Sequence, residues 1–242
     1  MCRCRSRGLN YMLMQRKKII ILLVSAACGA VIGAVGTRFR GHVPNIPAFR
    51  PDDALLVHRR LLLAAAAGWV LMSAYWDIAA KSVSKAKKSE SRGSRFFHVF
   101  LTNAALLLEI APIRGSGRFL PVSVAIMSAG LAIEAGGLLI AVWSRRHLGR
   151  NWSGEITIKD EHALVQTGPY RWLRHPIYTG ILVMYLGVVL VTGEWLAIAG
   201  LLVVMFAYWR KIRLEEKNLN VAFGEEYNAY RRDTWALVPG VF

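Results

Sequence analysis

The chain is poor in cysteine and in acidic residues, and these shortages exclude several classes of protein. Its three cysteines, Cys2, Cys4 and Cys28, have neither the spacing of a zinc site nor that of a disulfide framework. Asp and Glu number 15 against 31 Lys and Arg, which gives a formal charge of +16. No Gly-x-Gly-x-x-Gly motif follows a predicted strand, because Gly115-Ser116-Gly117 lies in a short loop. A Rossmann-type nucleotide domain is therefore not expected.

Long apolar runs are abundant, since 55% of the 242 residues are hydrophobic. The charge alone would suit a nucleic-acid-binding protein, but such a protein has no need of the runs, so we expect no nucleic-acid partner. A membrane-crossing helix needs about 20 apolar residues. The fold class predicted is all-α, a multi-pass transmembrane helical bundle of about six spans. The candidate spans are Ile19–Gly36, Leu61–Ala80, Phe96–Ile113, Phe119–Trp143, Tyr178–Thr192 and Trp195–Trp209.

Two units are expected from the order of these spans. Residues 1–143 would hold four N-terminal transmembrane helices, and residues 144–242 a linker, a helical hairpin and a C-terminal amphipathic helix. Arginines before the first span also fit a signal peptide, but no small-x-small cleavage site follows it. We therefore expect the first helix to be retained.

Basic residues divide unevenly between the two sides of the predicted membrane. With the N-terminus in the cytoplasm, the inner segments are 1–18, 81–95, 144–177 and 210–242, and each carries six Lys or Arg. The outer loops, 37–60, 114–118 and 193–194, carry seven altogether. Positively charged loops stay in the cytoplasm. The sequence thus predicts cytoplasmic termini and places the motifs described next on the cytoplasmic side.

Two polar motifs flank one apolar hairpin. Gly168–Tyr170, Arg174–Pro176 and Tyr178 precede it, and the basic and acidic segment Arg210–Glu216 follows it. A helical hairpin returns the chain to the side that it left. The two motifs should therefore meet at one membrane face and form a site for a charged ligand that acts on an apolar partner.

The first motif combines a turn with a helix start. Thr167-Gly168-Pro169 is typical of a turn, and Pro176 suits the first position of a helix, where a missing N–H costs little. His175 and Tyr178, three residues apart, share a helix face. Free backbone N–H groups at such a turn can hold a carboxylate or the edge of a base.

The second motif continues into a helix whose apolar residues recur every three to five positions. That helix should be amphipathic and broken or bent near Gly224. Glu215 and Glu216 are adjacent, so one can face the site while the other faces solvent, Arg210 or Arg213. The recurring apolar residues are Leu214, Leu219, Phe223, Tyr227 and Tyr230.

This array of motifs resembles the isoprenylcysteine carboxyl methyltransferase family, which is related to membrane phospholipid methyltransferases. The residues that carry the resemblance lie in 144–242. It implies a membrane-embedded S-adenosylmethionine-dependent methyltransferase, whose partners are membrane lipids and a lipophilic or lipid-anchored substrate. By similarity, the residues that bind the cofactor are Thr157, His162, Ala163, Leu164, Val165, Tyr170, His175, Pro176, Ile177, Tyr178 and Glu215 or Glu216.

The chemistry of these residues suits that cofactor. A glutamate fits its ammonium, and His175, Tyr178 and the turn amides fit its carboxylate or ribose. Tyr170 or Tyr178 can face its sulfonium. For catalysis, Arg210 or Arg213 would orient a carboxylate or thiolate acceptor. An amine acceptor would need a proton acceptor, for which Glu216 is the candidate.

Other interpretations stay open at this point. A reductase related to the sterol reductases would use a nicotinamide cofactor with a similar C-terminal motif, although Pro176 favours the methyltransferase pattern. A non-catalytic scaffold for anionic lipid would explain the charge alone. The acceptor of a methyltransferase could be a prenylcysteine carboxylate, a phospholipid amine or a small thiol. Glu134 and Glu109 lie within predicted spans and are therefore candidates for a functional role. Glu134 would line a substrate path, or it would pair structurally or share a proton.

Overall fold

The computed structural model describes residues 51–79, 91–110, 117–149 and 164–240. All regular secondary structure in these residues is helical. The described residues contain no strand, only the isolated bridges Arg118–Glu194 and Leu173–Trp235. The all-α prediction is therefore confirmed for this part of the chain. The helices are α1 (Pro51–Ala79), α2 (Arg92–Ile110), α3 (Val124–Leu148), α4 (Pro176–Thr192), α5 (Trp195–Phe223) and α6 (Glu225–Asp233), with a 3₁₀ turn at Gly168–Arg171.

Three of these helices are long and apolar enough to cross a membrane, namely Leu56–Ala79 of α1 and the whole of α3 and α5. They support the prediction of an integral membrane protein. Residues 96–110 of the predicted span Phe96–Ile113 lie in α2, and Tyr178–Thr192 lies in the shorter apolar helix α4, but neither helix is among the three. The count of six spans is thus not reproduced in the described ranges, and Ile19–Gly36 lies outside them.

Helix α3 begins at Val124, five residues later than predicted from the apolar run. The cause is a backbone contact with the hairpin turn. The N–H groups of Phe119 and Leu120 donate to the Gly193 carbonyl at 3.0 and 3.3 Å. Residues that satisfy their hydrogen bonds in this way are held out of the helix.

Glycines bring α3 and α4 into backbone contact. Gly130 and Gly137 are seven residues apart on α3, and Gly180 and Gly187 have the same spacing on α4. A Cβ added to Gly137 would lie 2.5 Å from the Gly180 carbonyl oxygen, and one added to Gly130 would lie 2.7 Å from that of Gly187. Small residues allow this approach. The two antiparallel helices therefore form a rigid pair beneath the Arg-His-Pro motif.

The second hairpin arm is longer than its apolar part. Helix α5 continues past the predicted end at Trp209 to Phe223, so the first half of the predicted amphipathic helix is continuous with the hairpin. The predicted break is confirmed, because Gly224 has φ +54° and α6 begins at Glu225. One rigid helix thus holds Glu215 and Glu216 opposite the start of α4.

Several helices have an end close to the two polar motifs that flank the hairpin. We call this part of the molecule the motif end. The side chain of Arg145, near the end of α3, donates to the last carbonyl of α1, Ala79, at 2.8 Å. Arg210 of α5 donates to Ser94 in the first turn of α2 at 2.6 Å. Below these contacts lies an apolar core that includes Ala141, Ile177, Met184, Tyr185, Val204 and Tyr208. The motif end therefore draws groups from α1, α2, α3, α4 and α5.

Candidate functional site

The 3₁₀ turn before α4 packs on the end of α3. Gly168 has φ +58°, and a Cβ there would lie 2.6 Å from the His147 ring, so both its conformation and its surroundings favour glycine. His147 Nε2 lies 2.8 Å from Thr167 Oγ1. These contacts fix the turn against α3. Tyr170, two residues after Gly168, is thereby directed inward.

Tyr170 is held between α3 and α6. Its hydroxyl donates to the Ser144 carbonyl at 3.4 Å, and its own carbonyl accepts from the Tyr230 hydroxyl at 2.7 Å. Burial raises the pKa of Tyr170 well above its usual value. The residue is therefore a neutral, buried phenol that supports the turn from below.

The Arg-His-Pro segment is paired with the residues after α6. The N–H groups of Arg174 and His175 donate to the carbonyls of Trp235 and Ala236 at 2.8 and 3.1 Å. Pro176 then starts α4 without an N–H of its own. These contacts fix the backbone on both sides of the imidazole.

The buried His175 imidazole lies between two carboxylates. Its Nδ1 is 3.5 Å from Glu215 Oε2, and its Nε2 is 3.5 Å from Glu216 Oε1. The Tyr178 hydroxyl donates to Glu215 Oε1 at 2.6 Å, and its ring stacks on His175 with centroids 5.5 Å apart. The hairpin therefore brings the two motifs together, as its geometry predicted. We call these four residues with Arg174 the His–Glu cluster.

The charge state of His175 follows from its neighbours. Burial disfavours the charged imidazole, but the negative charges of the nearby Glu215 and Glu216 outweigh burial, and the net effect raises the pKa of His175. A protonated imidazole between two anions would bring the buried cluster close to electrical balance once Arg174 is counted.

The expectation for the glutamate pair was wrong in one respect. Both carboxylates turn toward His175, since the two ring nitrogens reach one each. Glu216 pairs with Arg174 at 2.8 Å and approaches Arg231 at 3.8 Å, rather than facing solvent, Arg210 or Arg213. The side chains of successive helix residues point about 100° apart around the helix axis. The His175 ring lies between the two glutamates and can therefore approach both.

Arg174 was not among the residues predicted for the site, yet it joins three elements. Its Nε donates to Glu216 of α5, and its Nη1 donates to the carbonyls of Arg231, at 3.1 Å, and Thr234. Arginine suits such buried, multiply bonded positions. The Arg-His-Pro motif was the available signal, but its partners are 42 to 60 residues away in sequence.

The arginines predicted to orient an acceptor lie on other sides of α5. Arg210 is directed to α2, where it bonds Ser94 and its guanidinium lies 5.3 Å from the centroid of the Phe97 ring. Arg213 lies 5.7 Å from the ring centroid of Trp209. Among the described residues the ion pairs of His175 are with Glu215 and Glu216, so the structure brings Glu216 into the cluster and leaves Arg210 and Arg213 outside it.

The other predicted cofactor residues fall into three groups. Thr157, His162 and Ala163 lie outside the described residues. Leu164 and Val165 are partly buried just before the 3₁₀ turn. Pro176 and Ile177 are buried at the start of α4, and Ile177 belongs to the apolar core.

The two carboxylates predicted inside the membrane are both buried. Within the described part of the chain, neither oxygen of Glu109 and not Oε1 of Glu134 has a hydrogen-bond partner. Glu134 packs against Gly68 of α1, and Glu109 against Gly200 of α5. No ion pair within the described ranges supports the structural pairing that the sequence left open.

The His–Glu cluster has the donors and acceptors that a zwitterionic ligand requires. His175 Nε2 is buried and has no hydrogen-bond partner among the residues that the structure describes, because its 3.5 Å approach to Glu216 lacks hydrogen-bond geometry. It can donate to a carboxylate, while Glu215 can accept from an ammonium. The residues present therefore fit the amino-acid end of S-adenosylmethionine.

Comparison with known proteins agrees with the motifs. The phospholipid methyltransferase family pattern matches residues 125–226. A protein-S-isoprenylcysteine O-methyltransferase of Saccharomyces cerevisiae is 34% identical over 97 residues, 38% of this chain and 39% of that protein. The cobalt-zinc-cadmium resistance protein CzcN of Cupriavidus metallidurans is 38% identical over 95 residues, 38% of this chain and 43% of its own length.

A solved structure of a eukaryotic intramembrane Ras methyltransferase, an isoprenylcysteine carboxyl methyltransferase, aligns with 77% of this chain and 63% of its own. Its identity is 20% and its TM-score 0.46, too distant to add to the argument. The chain covers between 35% and 49% of the length of the isoprenylcysteine methyltransferases that it matches. Over residues 125–226 the chain carries the phospholipid methyltransferase pattern. Its resemblance to the isoprenylcysteine carboxyl methyltransferases is confirmed by the matches to named relatives.

Proposed function

We propose that the protein is an integral membrane methyltransferase that uses S-adenosylmethionine and methylates a lipophilic acceptor, most like an isoprenylcysteine carboxyl O-methyltransferase. The observation that carries the proposal is His175 buried between Glu215 and Glu216, with its Nε2 lacking a hydrogen-bond partner within the described part of the chain. The phospholipid methyltransferase pattern over residues 125–226 and the matches to named methyltransferases support it. The membrane character of three helices supports a lipophilic acceptor.

Each residue of the cluster has a role in holding the cofactor. Glu215 accepts from the ammonium, and His175 donates to the carboxylate. The Tyr178 hydroxyl, which donates to Glu215 at 2.6 Å, holds that carboxylate in position. Arg174 holds Glu216 and the backbone after α6 in place, so that the cluster is preorganised before the ligand arrives.

S-adenosylmethionine supplies an electrophilic methyl group on a sulfonium. Glu215 and His175 would hold the amino-acid end of the cofactor, and its methyl group would be supplied to an acceptor such as a carboxylate. No proton has to be removed from a carboxylate. The protein's part is then to align the acceptor and exclude water, rather than to provide a strong base.

Sidedness and partners belong to the same proposal. The basic segments at the motif end and the excess of Lys and Arg in the predicted inner loops support a cytoplasmic cofactor site and cytoplasmic termini. The division into residues 1–143 and 144–242 is kept as a working description, in which the second unit binds the cofactor. The partners proposed are membrane lipids and a lipophilic or lipid-anchored substrate.

Binding of S-adenosylhomocysteine to the detergent-purified protein tests the cofactor assignment directly. By calorimetry, the wild type should bind, and His175→Ala and Glu215→Ala should each weaken binding at least tenfold, the scale of one hydrogen bond to a charged group. Glu226→Ala is the matched control, because Glu226 is an exposed carboxylate whose contact with Gln166 is long, at 3.5 Å.

Two results would contradict the proposal. Unchanged binding in both cluster variants would remove the site assignment. Tight binding of NADPH, with no response to S-adenosylhomocysteine, would favour the sterol-reductase alternative. Transfer of labelled methyl to a prenylcysteine acid, a phospholipid amine or a small thiol then identifies the acceptor, and we expect the acid.

A further inference from the structure

Exposed tryptophans lie beyond both ends of helix α4. Trp172, four residues before the helix, is 56% exposed, and Trp195, three residues after it, is 58% exposed. Helix α4 has 17 residues, so at about 1.5 Å per residue it is about 25 Å long. That length is close to the roughly 30 Å of the apolar layer of a bilayer, and tryptophans gather at the two boundaries of that layer. The two side chains therefore indicate where the membrane boundaries meet the hairpin.

A second exposed tryptophan joins Trp172 at the motif end. The chain after α6 runs beside the start of α4, and the Trp235 N–H donates to the Trp172 carbonyl at 3.1 Å. The Trp235 side chain is 46% exposed, whereas the next residue, Ala236, is buried. Val238 is exposed again. This segment thus buries Ala236 and turns two large apolar side chains outward. We call Trp172 and Trp235 the tryptophan pair.

Basic side chains flank the tryptophan pair. Arg171 precedes it in the 3₁₀ turn, and Arg231 and Arg232 lie in the last turn of α6. All three are exposed, as is the neighbouring Asp233. Arg231 approaches Glu216 at 3.8 Å, but Arg171 and Arg232 form no ion pair within the described ranges. Two arginines beside the pair can therefore take an external anion as their partner.

The charges at the opposite end of α4 are balanced. Arg118 Nη1 lies 3.7 Å from Glu194 Oε1, next to Trp195. The Phe119 ring packs on Trp195 with centroids 5.3 Å apart. Both ends of α4 thus offer aromatic rings to a membrane boundary, but the motif end adds positive charge. That difference favours anionic lipid head groups at the motif end.

The tryptophan pair is bonded directly to the Arg-His-Pro segment. The Trp235 and Ala236 carbonyls accept from the N–H groups of Arg174 and His175 at 2.8 and 3.1 Å. A ligand that fixes Trp235 therefore also fixes the backbone of the His–Glu cluster. When one ligand has ordered a region, a second ligand loses less entropy on binding there, so the two bindings are coupled.

We propose that the tryptophan pair, with Arg171 and Arg232, binds an anionic phospholipid of the surrounding bilayer, and that the bound lipid raises the affinity of the His–Glu cluster for its cofactor. The indole rings would lie at the boundary of the acyl chains, and the guanidinium groups would pair with the lipid phosphate. Phosphatidylglycerol has the required charge. The lipid site stands by itself, whereas its effect on the cofactor rests on the proposed function.

Quenching by brominated lipid measures the lipid site without the cofactor. The protein is reconstituted in nanodiscs of equimolar phosphatidylcholine and phosphatidylglycerol, with bromine on the acyl chains of one lipid or of the other. Wild-type tryptophan fluorescence should be quenched more by brominated phosphatidylglycerol, because that lipid is enriched at the pair. Trp172→Phe/Trp235→Phe should lose this excess quenching. Trp195→Phe should keep it, since Trp195 lies at the other end of α4.

Two double variants separate a built site from diffuse attraction. Arg171→Gln/Arg232→Gln removes the partners of the lipid phosphate and should abolish the excess quenching. Arg146→Gln/Lys217→Gln removes the same charge from exposed positions of α3 and α5 and should retain it. Equal loss in both variants would show that total charge attracts the lipid, and this would overturn the site.

Calorimetry with S-adenosylhomocysteine tests the coupling, in discs of phosphatidylcholine alone and in the equimolar mixture. The wild type should bind about fivefold more tightly in the mixture, at the lower end of the usual coupling between two sites. Arg171→Gln/Arg232→Gln should bind equally in both discs, and Arg146→Gln/Lys217→Gln should keep the difference. Inorganic phosphate added to phosphatidylcholine discs should leave the affinity unchanged, because it brings no acyl chains to the tryptophans.

Further outcomes would overturn each part of the inference separately. Equal quenching of the wild type by the two brominated lipids would reject the lipid site. Excess quenching with the same S-adenosylhomocysteine affinity in both discs would reject the coupling. A gain in affinity with inorganic phosphate would show that the ligand is a free anion and not a lipid. Excess quenching in a protein that binds no S-adenosylhomocysteine in either disc would reject the proposed function and support the lipid site.

Discussion

The α3–α4 contact and the His–Glu cluster adjoin one another, yet different forces hold them. The first is apolar, and glycines set it by letting backbone meet backbone, as at Gly137 and Gly180. The second is polar, and Arg174, His175 and Glu216 hold it through ion pairs. The stability of the α3–α4 contact should fall when side-chain volume is added and should not depend on pH. The stability of the His–Glu cluster should depend on the charges of its residues and on pH.

This difference matters for function. Close-packed helices have few alternative arrangements, so α3 and α4 can act as a fixed base for the Arg-His-Pro motif. A cluster of ion pairs can exchange an internal partner for a ligand of the same charge. The close-packed α3–α4 contact therefore positions the His–Glu cluster. Three predictions test whether each of the two regions can be disturbed without disturbing the other.

The largest expected effect is at Arg174. Arg174→Ala leaves Glu216 without its closest ion pair and frees the carbonyls of Arg231 and Thr234. Breaking a buried pair costs about 3–5 kcal/mol. We expect a large fall of the thermal midpoint in detergent, with loss of S-adenosylhomocysteine binding.

Arg171→Ala is the control for that experiment, because Arg171 is exposed and three residues earlier in the same turn. It should shift the midpoint little, since surface changes usually stay within about 0.5 kcal/mol. Equal destabilisation by both changes would show that loss of basic charge, and not the Arg174 contacts, sets stability here.

A smaller effect is expected in the glycine contact. Gly137→Ala places a Cβ 2.5 Å from the Gly180 carbonyl, and the overpacking should cost about 1–3 kcal/mol. Gly136→Ala meets nothing within 4 Å and should be neutral or slightly stabilising, because alanine favours a helix. Thermal midpoints measured at two pH values check both statements. A fall of the thermal midpoint in Gly137→Ala that depends on pH would contradict this distinction between the α3–α4 contact and the His–Glu cluster.

The smallest effect is a dependence of stability on pH. His175 has a raised pKa in the folded protein, so the folded state binds the proton more tightly than the unfolded state does. Its contribution is complete below the unfolded value of about 6.5 and is lost as pH rises through the raised pKa. The thermal midpoint should therefore fall with pH above about 6.5.

His175→Gln should flatten that slope, while His147→Gln, a change at an exposed histidine outside the cluster, should keep it. A wild-type slope that persists in His175→Gln would assign the pH dependence to other groups.

The hairpin and the meeting of its flanking motifs were predictable from the sequence. An apolar run of two helix lengths between two polar motifs has one simple arrangement, and His175, Tyr178 and Glu215 do meet. The break near Gly224 was predictable because glycine there interrupts an apolar period. The continuity of α5 was not predictable, since a charged segment that follows an apolar one is typical of the start of a new helix.

The partners of individual charges could not be read from sequence. Arg174 and Glu216 are 42 positions apart, and Arg210 and Ser94 are 116 apart. Whether such groups meet depends on the rotation and depth of each helix. In this chain those are set by contacts such as Gly137 on Gly180.

The sequence by itself determined the helical class, the membrane character, the hairpin and the chemistry available at its ends, because hydrophobic periodicity and residue type are local properties. The tertiary structure decided that both glutamates face His175, that Arg174 joins the elements of the motif end, and that α2 brings His98 beside Tyr208. Those are long-range contacts, and only packing of helices against one another selects which side chains come together.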